Sequence, residues 1–173
     1  MNVKLIFLFS VMMNTVIAQP VFKPERIQKS ATITVKTSID RAFPLFGPVR
    51  EKEWAAGWEP QIIYSTHPEW EEHMIFTTAG KHSHEDRYVW VVSQFRPNEY
   101  FIEYTVSTAQ RIWFISVRCA PDSENTKVSV TYTYTGLTEE GNQLNKSALS
   151  RMFAHDLRDW EEEINQYLAS GKK

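Results

Sequence analysis

The chain has 173 residues, a formal net charge of −2 and one cysteine, enough for one domain and short for two. Six Trp, seven Tyr and ten Phe supply a sizeable core and argue against a disordered chain. The near balance of charge argues against nucleic acid as a partner, because neutralising phosphates takes clustered Lys and Arg; the lone Cys119 excludes an internal disulfide.

In chain order, Lys4 precedes a nearly unbroken apolar run, Leu5–Ala18, with Val16 and Ala18 at the −3 and −1 positions of a small-residue cleavage site. Residues 1–18 read as a signal peptide and predict an exported protein, periplasmic or secreted. An uncleaved anchor is the competing reading. The run is short for a membrane span and no later segment is apolar enough, so no stable membrane anchor is expected after cleavage. Cleavage removes one Lys and no acid, taking the net charge from −2 to −3. In an oxidising compartment Cys119 is safest buried in a strand. Residues 19–29, with Pro20 and Pro24, read as a leader, and 30–170 as the domain.

Ala31–Thr37 alternates β-branched and small or polar residues and predicts a strand. Asp40 is expected to cap a short helix over Arg41–Phe46, with Pro44 in its first turn. A second short helix, Val49–Ala56, ends at Gly57. Strands are then expected over Pro60–Ser65, Glu72–Thr78, Asp86–Phe95, Glu99–Val106, Arg111–Cys119 and Thr126–Thr135. The short links between the later ones carry turn chemistry, which predicts antiparallel neighbours.

Thr126–Thr135 alternates most cleanly, with Val128, Val130, Tyr132 and Tyr134 on one face. Setting Cys119 opposite Thr126 brings Val117, Ile115 and Trp113 to the same inner face; the other register would bury Arg118 and Ser116. A two-residue turn at Ser107-Thr108 then turns Tyr104, Ile102 and Tyr100 inward. Asp86–Phe95 is ambiguous, because Tyr88/Trp90/Val92 and Val89/Val91/Phe95 are both apolar. The chain ends in one long helix with Thr138 as N-cap and an apolar stripe from Leu144 through Leu149, Phe153, Leu157, Trp160 and Ile164 to Leu168. About eight turns of helix must lie across a large apolar surface, and the inner sheet face supplies one.

This order is α+β: a strand, two short helices, six antiparallel strands and a long C-terminal helix. On Ala31–Val35 leading into Asp40–Phe43, on Glu53–Pro60, on Val128–Asn142 and on the terminal helix through Trp160 and Tyr167, the chain resembles the START-like (SRPBCC, polyketide cyclase/dehydrase-like) superfamily. The resemblance implies a helix-grip fold, a curved seven-stranded antiparallel sheet around the C-terminal helix, with a tunnel between them that holds an apolar small molecule or lipid. It is specific for fold and not for activity, since such folds carry many functions.

The residues expected to line that tunnel are Trp54, Trp58, Trp90, Tyr104, Trp113, Tyr132, Tyr134, Phe153, Asp156, Leu157 and Trp160. The aromatics offer flat contact surface with hydroxyl handles, or else they fill a closed core. Trp54 and Trp58 are a lid pair or packing anchors. Asp156 borders the helix stripe, as a buried base or as a partner for Arg111 or Arg118. Lys81-His-Ser-His-Glu-Asp86 is dense in potential metal ligands but lacks Cys and three-ligand spacing, so no metal is expected. No nucleophile, phosphate-loop or nucleotide signature appears, so no cofactor is expected and no catalytic residue is assigned. Three functions stay open: a carrier of a hydrophobic small molecule or lipid, a cyclase- or hydrolase-like enzyme, and a partner-binding domain with a filled core.

Overall fold

The computed structural model describes residues 21–82 and 85–171; the segment read as a signal peptide, and His84, lie outside them. Strand β1 (Arg26–Val35) leads into helix α1 (Ile39–Ala42) and two 3-10 turns, Phe43–Phe46 and Arg50–Glu53. Strands β2 (Gln61–Tyr64), β3 (Ile75–His82), β4 (Glu85–Arg96), β5 (Phe101–Ser107), β6 (Arg111–Asp122) and β7 (Asn125–Gly136) follow, then helices α2 (Glu139–Met152) and α3 (Arg158–Ala169). The seven strands form one antiparallel sheet in the order β1-β7-β6-β5-β4-β3-β2.

The expected inner face forms as read. Trp113, Ile115, Val117 and Cys119 of β6 are buried beside Val128, Val130, Tyr132 and Tyr134 of β7, with Tyr104 and Ile102 of β5 continuing the surface. The registers differ by even steps, so faces are conserved. Cys119 pairs with Val128 rather than Thr126, and the β5–β6 turn falls at Ala109-Gln110, where the Thr108 N–H donates to Arg111 O over 2.9 Å. A period of two makes such a shift invisible to burial.

The ambiguity in β4 has a structural cause. Tyr88, Trp90 and Val92 face inward, and a bulge between Val92 and Gln94 shifts the register so that Phe95 sits opposite the inward Ile102. A bulge inserts one residue and reverses the phase beyond it. The triplet Tyr88/Trp90/Val92 is therefore wholly inward, and the other contributes only Phe95 beyond the bulge.

Other expectations are corrected. β1 begins at Arg26, so four residues read as leader, Arg26 to Lys29, pair with β7, starting with Arg26 opposite Thr135. The first helix begins after Ser38, not Asp40; the Asp40 carboxylate instead accepts from the Tyr100 hydroxyl at 2.6 Å. Tyr100 has φ 49° and ends a 3-10 turn, with its ring edge-on to Phe43 at 5.8 Å.

The C-terminal helix is two helices. Thr138 caps α2 as expected, its hydroxyl accepting from the Gly141 N–H at 3.0 Å. The chain then turns a corner at Phe153–Leu157, where Asp156 and Leu157 are left-handed with φ of 51° and 59°. The apolar steps of three and four run straight through this corner, and it holds neither Gly nor Pro, so periodicity gives no sign of it. The corner drives Leu157 into the core, fully buried, and leaves Asp156 exposed.

Glycines let α2 start close to the sheet: a Cβ on Gly141 would lie 1.9 Å from Gln110 O, and one on Gly136 2.0 Å from Asn142 Oδ1. α3 covers the outer edge of β1, where Glu161 accepts from the Thr34 N–H at 2.7 Å. Asn165 accepts from the Lys36 N–H at 2.8 Å and donates to Thr34 O at 2.9 Å. Side chains thus satisfy backbone groups that an edge strand leaves open. At the opposite edge Ile62, Ile63 and Tyr64 of β2 are exposed.

Candidate functional site

A cavity of about 1070 Å³ lies between the inner sheet face, the 3-10 turns after α1 and the two C-terminal helices. That is the large end of the range for small-molecule sites. Its exposed lining residues, which mark its opening, are Ala56, Gly57, Glu59 and Gln61, Ala79 of β3, and Arg151, Asp159 and Glu163 of the helices.

Seven of the residues expected at a tunnel line this cavity: Trp58, Trp90, Tyr104, Trp113, Tyr132, Tyr134 and Trp160. Polar anchors fix several of them. The Trp58 indole N–H donates to Pro48 O at 2.7 Å, the Trp90 indole to the Thr78 hydroxyl at 3.0 Å, and the Tyr104 hydroxyl to Phe46 O at 2.6 Å. Trp58 meets Trp90 edge-on at 5.2 Å, and Trp113 stacks on Tyr134 at 5.2 Å. These contacts hold the rings along the wall of the cavity.

Four expected residues are not on that wall. Trp54 is a buried packing anchor; its indole N–H donates to Leu45 O at 2.7 Å and its ring meets Trp160 edge-on at 5.5 Å. Phe153 ends α2 behind Tyr132. Leu157 is buried at the corner, and Asp156 is exposed beside it, so the helix break removes Asp156 as a buried base. Nor does Arg111 pair with Asp156.

Arg111 pairs instead with Glu85, a partnership the sequence did not disclose. Arg111, the first residue of β6, faces inward and lines the cavity. Its Nε donates to Glu85 Oε1 at 2.8 Å and its Nη2 to Oε2 at 2.6 Å. Only 2% of the Arg111 side chain and none of Glu85's is exposed. The Thr108 hydroxyl adds a third hydrogen bond to Glu85 at 3.0 Å. Burial pushes the Glu85 carboxyl up, but the Arg111 hydrogen bonds and charge outweigh it and hold the group below its ordinary value. Burial pulls the Arg111 guanidinium down, and Glu85 more than reverses that. Glu85 was grouped with a histidine-rich run; its side chain is committed to Arg111, and no cluster of three metal-ligating side chains occurs among the described residues.

The cavity tyrosines stay protonated, since burial pushes Tyr104, Tyr132 and Tyr134 above their ordinary range. Among the exposed lining residues the charge is mainly negative, with Glu59, Asp159 and Glu163 against Arg151. Cys119 lies on the inner face of β6, its thiol pushed up to about 12 by burial; such a thiol is unreactive.

No family model and no curated protein matches the sequence. Solved structures do match in three dimensions. Norcoclaurine synthase from Thalictrum flavum, in complex with dopamine and hydroxybenzaldehyde, superposes with a TM-score of 0.61 at 11% identity, over 95% of this chain and 98% of that one. Ara h 8.0201 gives a TM-score of 0.55 at 11% identity, over 86% and 100%. DynU16, from the dynemicin biosynthetic locus, gives 0.55 at 12% identity, over 84% of this chain and 48% of that one. At such identities the likeness carries the fold and no activity. The chain has the helix-grip fold that these solved structures share.

Proposed function

We propose that the protein binds a hydrophobic small molecule or lipid in the cavity between sheet and helices. The observation that carries this is the 1070 Å³ space walled by anchored aromatic rings. A domain whose core was filled by the same rings would not leave it. Norcoclaurine synthase, of the same fold, holds two small aromatic molecules. The lining favours binding over proton transfer. The buried tyrosines and Arg111 keep one charge state near neutral pH, and of the carboxylates on the lining Glu59, Asp159 and Glu163 are exposed. That acidic opening favours neutral or cationic ligands over anions such as free fatty acids.

Native mass spectrometry of protein purified from its own compartment, with release of bound material on denaturation, tests the reading. A stoichiometric apolar molecule is expected. In titrations with the neutral probe N-phenyl-1-naphthylamine, Trp113→Ala and Tyr132→Ala should weaken binding more than Glu53→Gln does. An empty protein that takes up no apolar probe would sink the proposal.

We further propose that the protein acts outside the cytoplasm after cleavage behind Ala18. The buried, unreactive Cys119 suits an oxidising compartment. N-terminal sequencing of the exported protein should begin at Gln19; a retained Met1 would refute cleavage.

A further inference from the structure

The Glu85–Arg111 pair leaves one donor unused. Among the described residues Arg111 Nη1 is buried and meets no acceptor, and the other buried side-chain polar atoms without a partner belong to the Asn145 amide. Asn145 is not on the cavity wall, whereas Arg111 is. A buried guanidinium nitrogen carries two N–H groups, and leaving them unpaired in a low-dielectric interior costs free energy that a partner would recover.

The surroundings of that nitrogen define what would pair with it. The guanidinium carbon lies 4.8 Å from the Trp113 ring centre, 5.6 Å from that of Tyr134 and 6.0 Å from that of Tyr88. These rings offer π faces to the cation while no better acceptor is present, and flat faces to an aromatic ligand. Charge selects further. Glu85 already neutralises Arg111, so a carboxylate brought to Nη1 would face a buried like charge with no excess positive charge to meet it. An uncharged oxygen meets no such opposition.

We propose that Arg111 Nη1 is the recognition point of the cavity, donating a hydrogen bond to an uncharged carbonyl oxygen (ketone, aldehyde or ester) on a flat aromatic ligand. This rests on the cavity being a ligand site and names the ligand's chemistry. Nη1 has almost no accessible surface, so the oxygen reaches it with a small displacement of the rings around the guanidinium.

The test uses the whole mature protein and three probes of one shape: 2-acetylnaphthalene, its hydrocarbon isostere 2-isopropenylnaphthalene, and the anion 2-naphthoate. Affinities are compared in the native protein and in the double variant Glu85→Met/Arg111→Met, which removes both charges at similar volume. The preference for ketone over hydrocarbon should fall by roughly tenfold or more in the double variant, the scale of a hydrogen bond to a charged group. Taking the ratio cancels the difference in how readily the two probes leave water. In the native protein the bound carbonyl stretch should shift to lower frequency than in hexane, a readout that stands even if the double variant does not fold. The naphthoate should bind more weakly than the ketone.

If ketone and hydrocarbon both bind but the carbonyl stretch stays hexane-like, or the preference survives the double variant, Arg111 is not the anchor while the cavity remains a ligand site. Tighter binding of naphthoate than of the ketone overturns the uncharged specificity. If no probe binds, the cavity reading falls and the anchor with it.

Discussion

Two Arg–Glu pairs in this protein have the same hydrogen bonds and opposite surroundings. Arg50 and Glu53, three residues apart, join through Nε–Oε1 and Nη2–Oε2 contacts of 2.9 Å each, with side chains 32% and 28% exposed. Arg111 and Glu85 make the same two contacts from strands β6 and β4, 26 residues apart and almost fully buried. Water screens the first pair and supplies alternatives when it opens, so it contributes little. The second has already lost its hydration, and each partner is the other's main compensation. Geometry alone therefore ranks neither pair; burial does.

The largest expected effect breaks the buried pair from one side. Glu85→Ala should destabilise the fold by about 3–5 kcal/mol in urea denaturation, because it leaves Arg111 charged and uncompensated. Glu85→Met/Arg111→Met should return to within about 1–2 kcal/mol of the native protein or exceed it. A single variant as mild as the double one would show that the site admits water and that the contrast is false.

Acid should act next. The folded Glu85 carboxyl lies below the ordinary value of 4.5. Its stabilisation is therefore present above 4.5 and is lost as pH falls through the lower folded value. Glu71, held down to about 2 chiefly by the Thr66 hydroxyl and backbone N–H, has the same sign. Stability measured from pH 6 to pH 2 should fall, and less steeply in Glu85→Gln; parallel curves would remove Glu85 as a source of acid lability.

The smallest effect belongs to the exposed pair. Glu53→Gln should cost no more than about 1 kcal/mol, though it also weakens the 2.5 Å hydrogen bond that the Tyr167 hydroxyl donates to Glu53 from α3. A loss comparable to Glu85→Ala would mean that this contact clamps α3 and that exposure is the wrong criterion.

What the sequence disclosed follows the same division. Alternation at Val128–Tyr134 and Trp113–Cys119 set the inner face, and with it the cavity residues Trp113, Tyr132 and Tyr134, because period-two burial is a local property. The Glu85–Arg111 pair is a long-range property. Neither residue has a local signature, and Glu85 sits in a run that resembles a metal ligand set. The corner at Asp156-Leu157 hid for a different reason: a helix break that preserves the apolar phase leaves no mark on periodicity, so Asp156 was placed at the cavity and is instead exposed. The bulge after Val92 did leave a mark, as two competing apolar faces.

The pairing of β1 with β7 has a consequence for how the chain reaches this state. Arg26 lies opposite Thr135 and Val35 opposite Thr126, so the strand synthesised first waits for nearly the whole sheet before its partner exists. Contacts at such separations close late and slowly, which places refolding among the slower small domains, in milliseconds to seconds. The β3–β7 meander can zip locally, hairpin by hairpin, while β1 remains an unpaired strand of apolar alternation. Residues 26–35 are thus the segment most in need of protection from other chains before folding is complete.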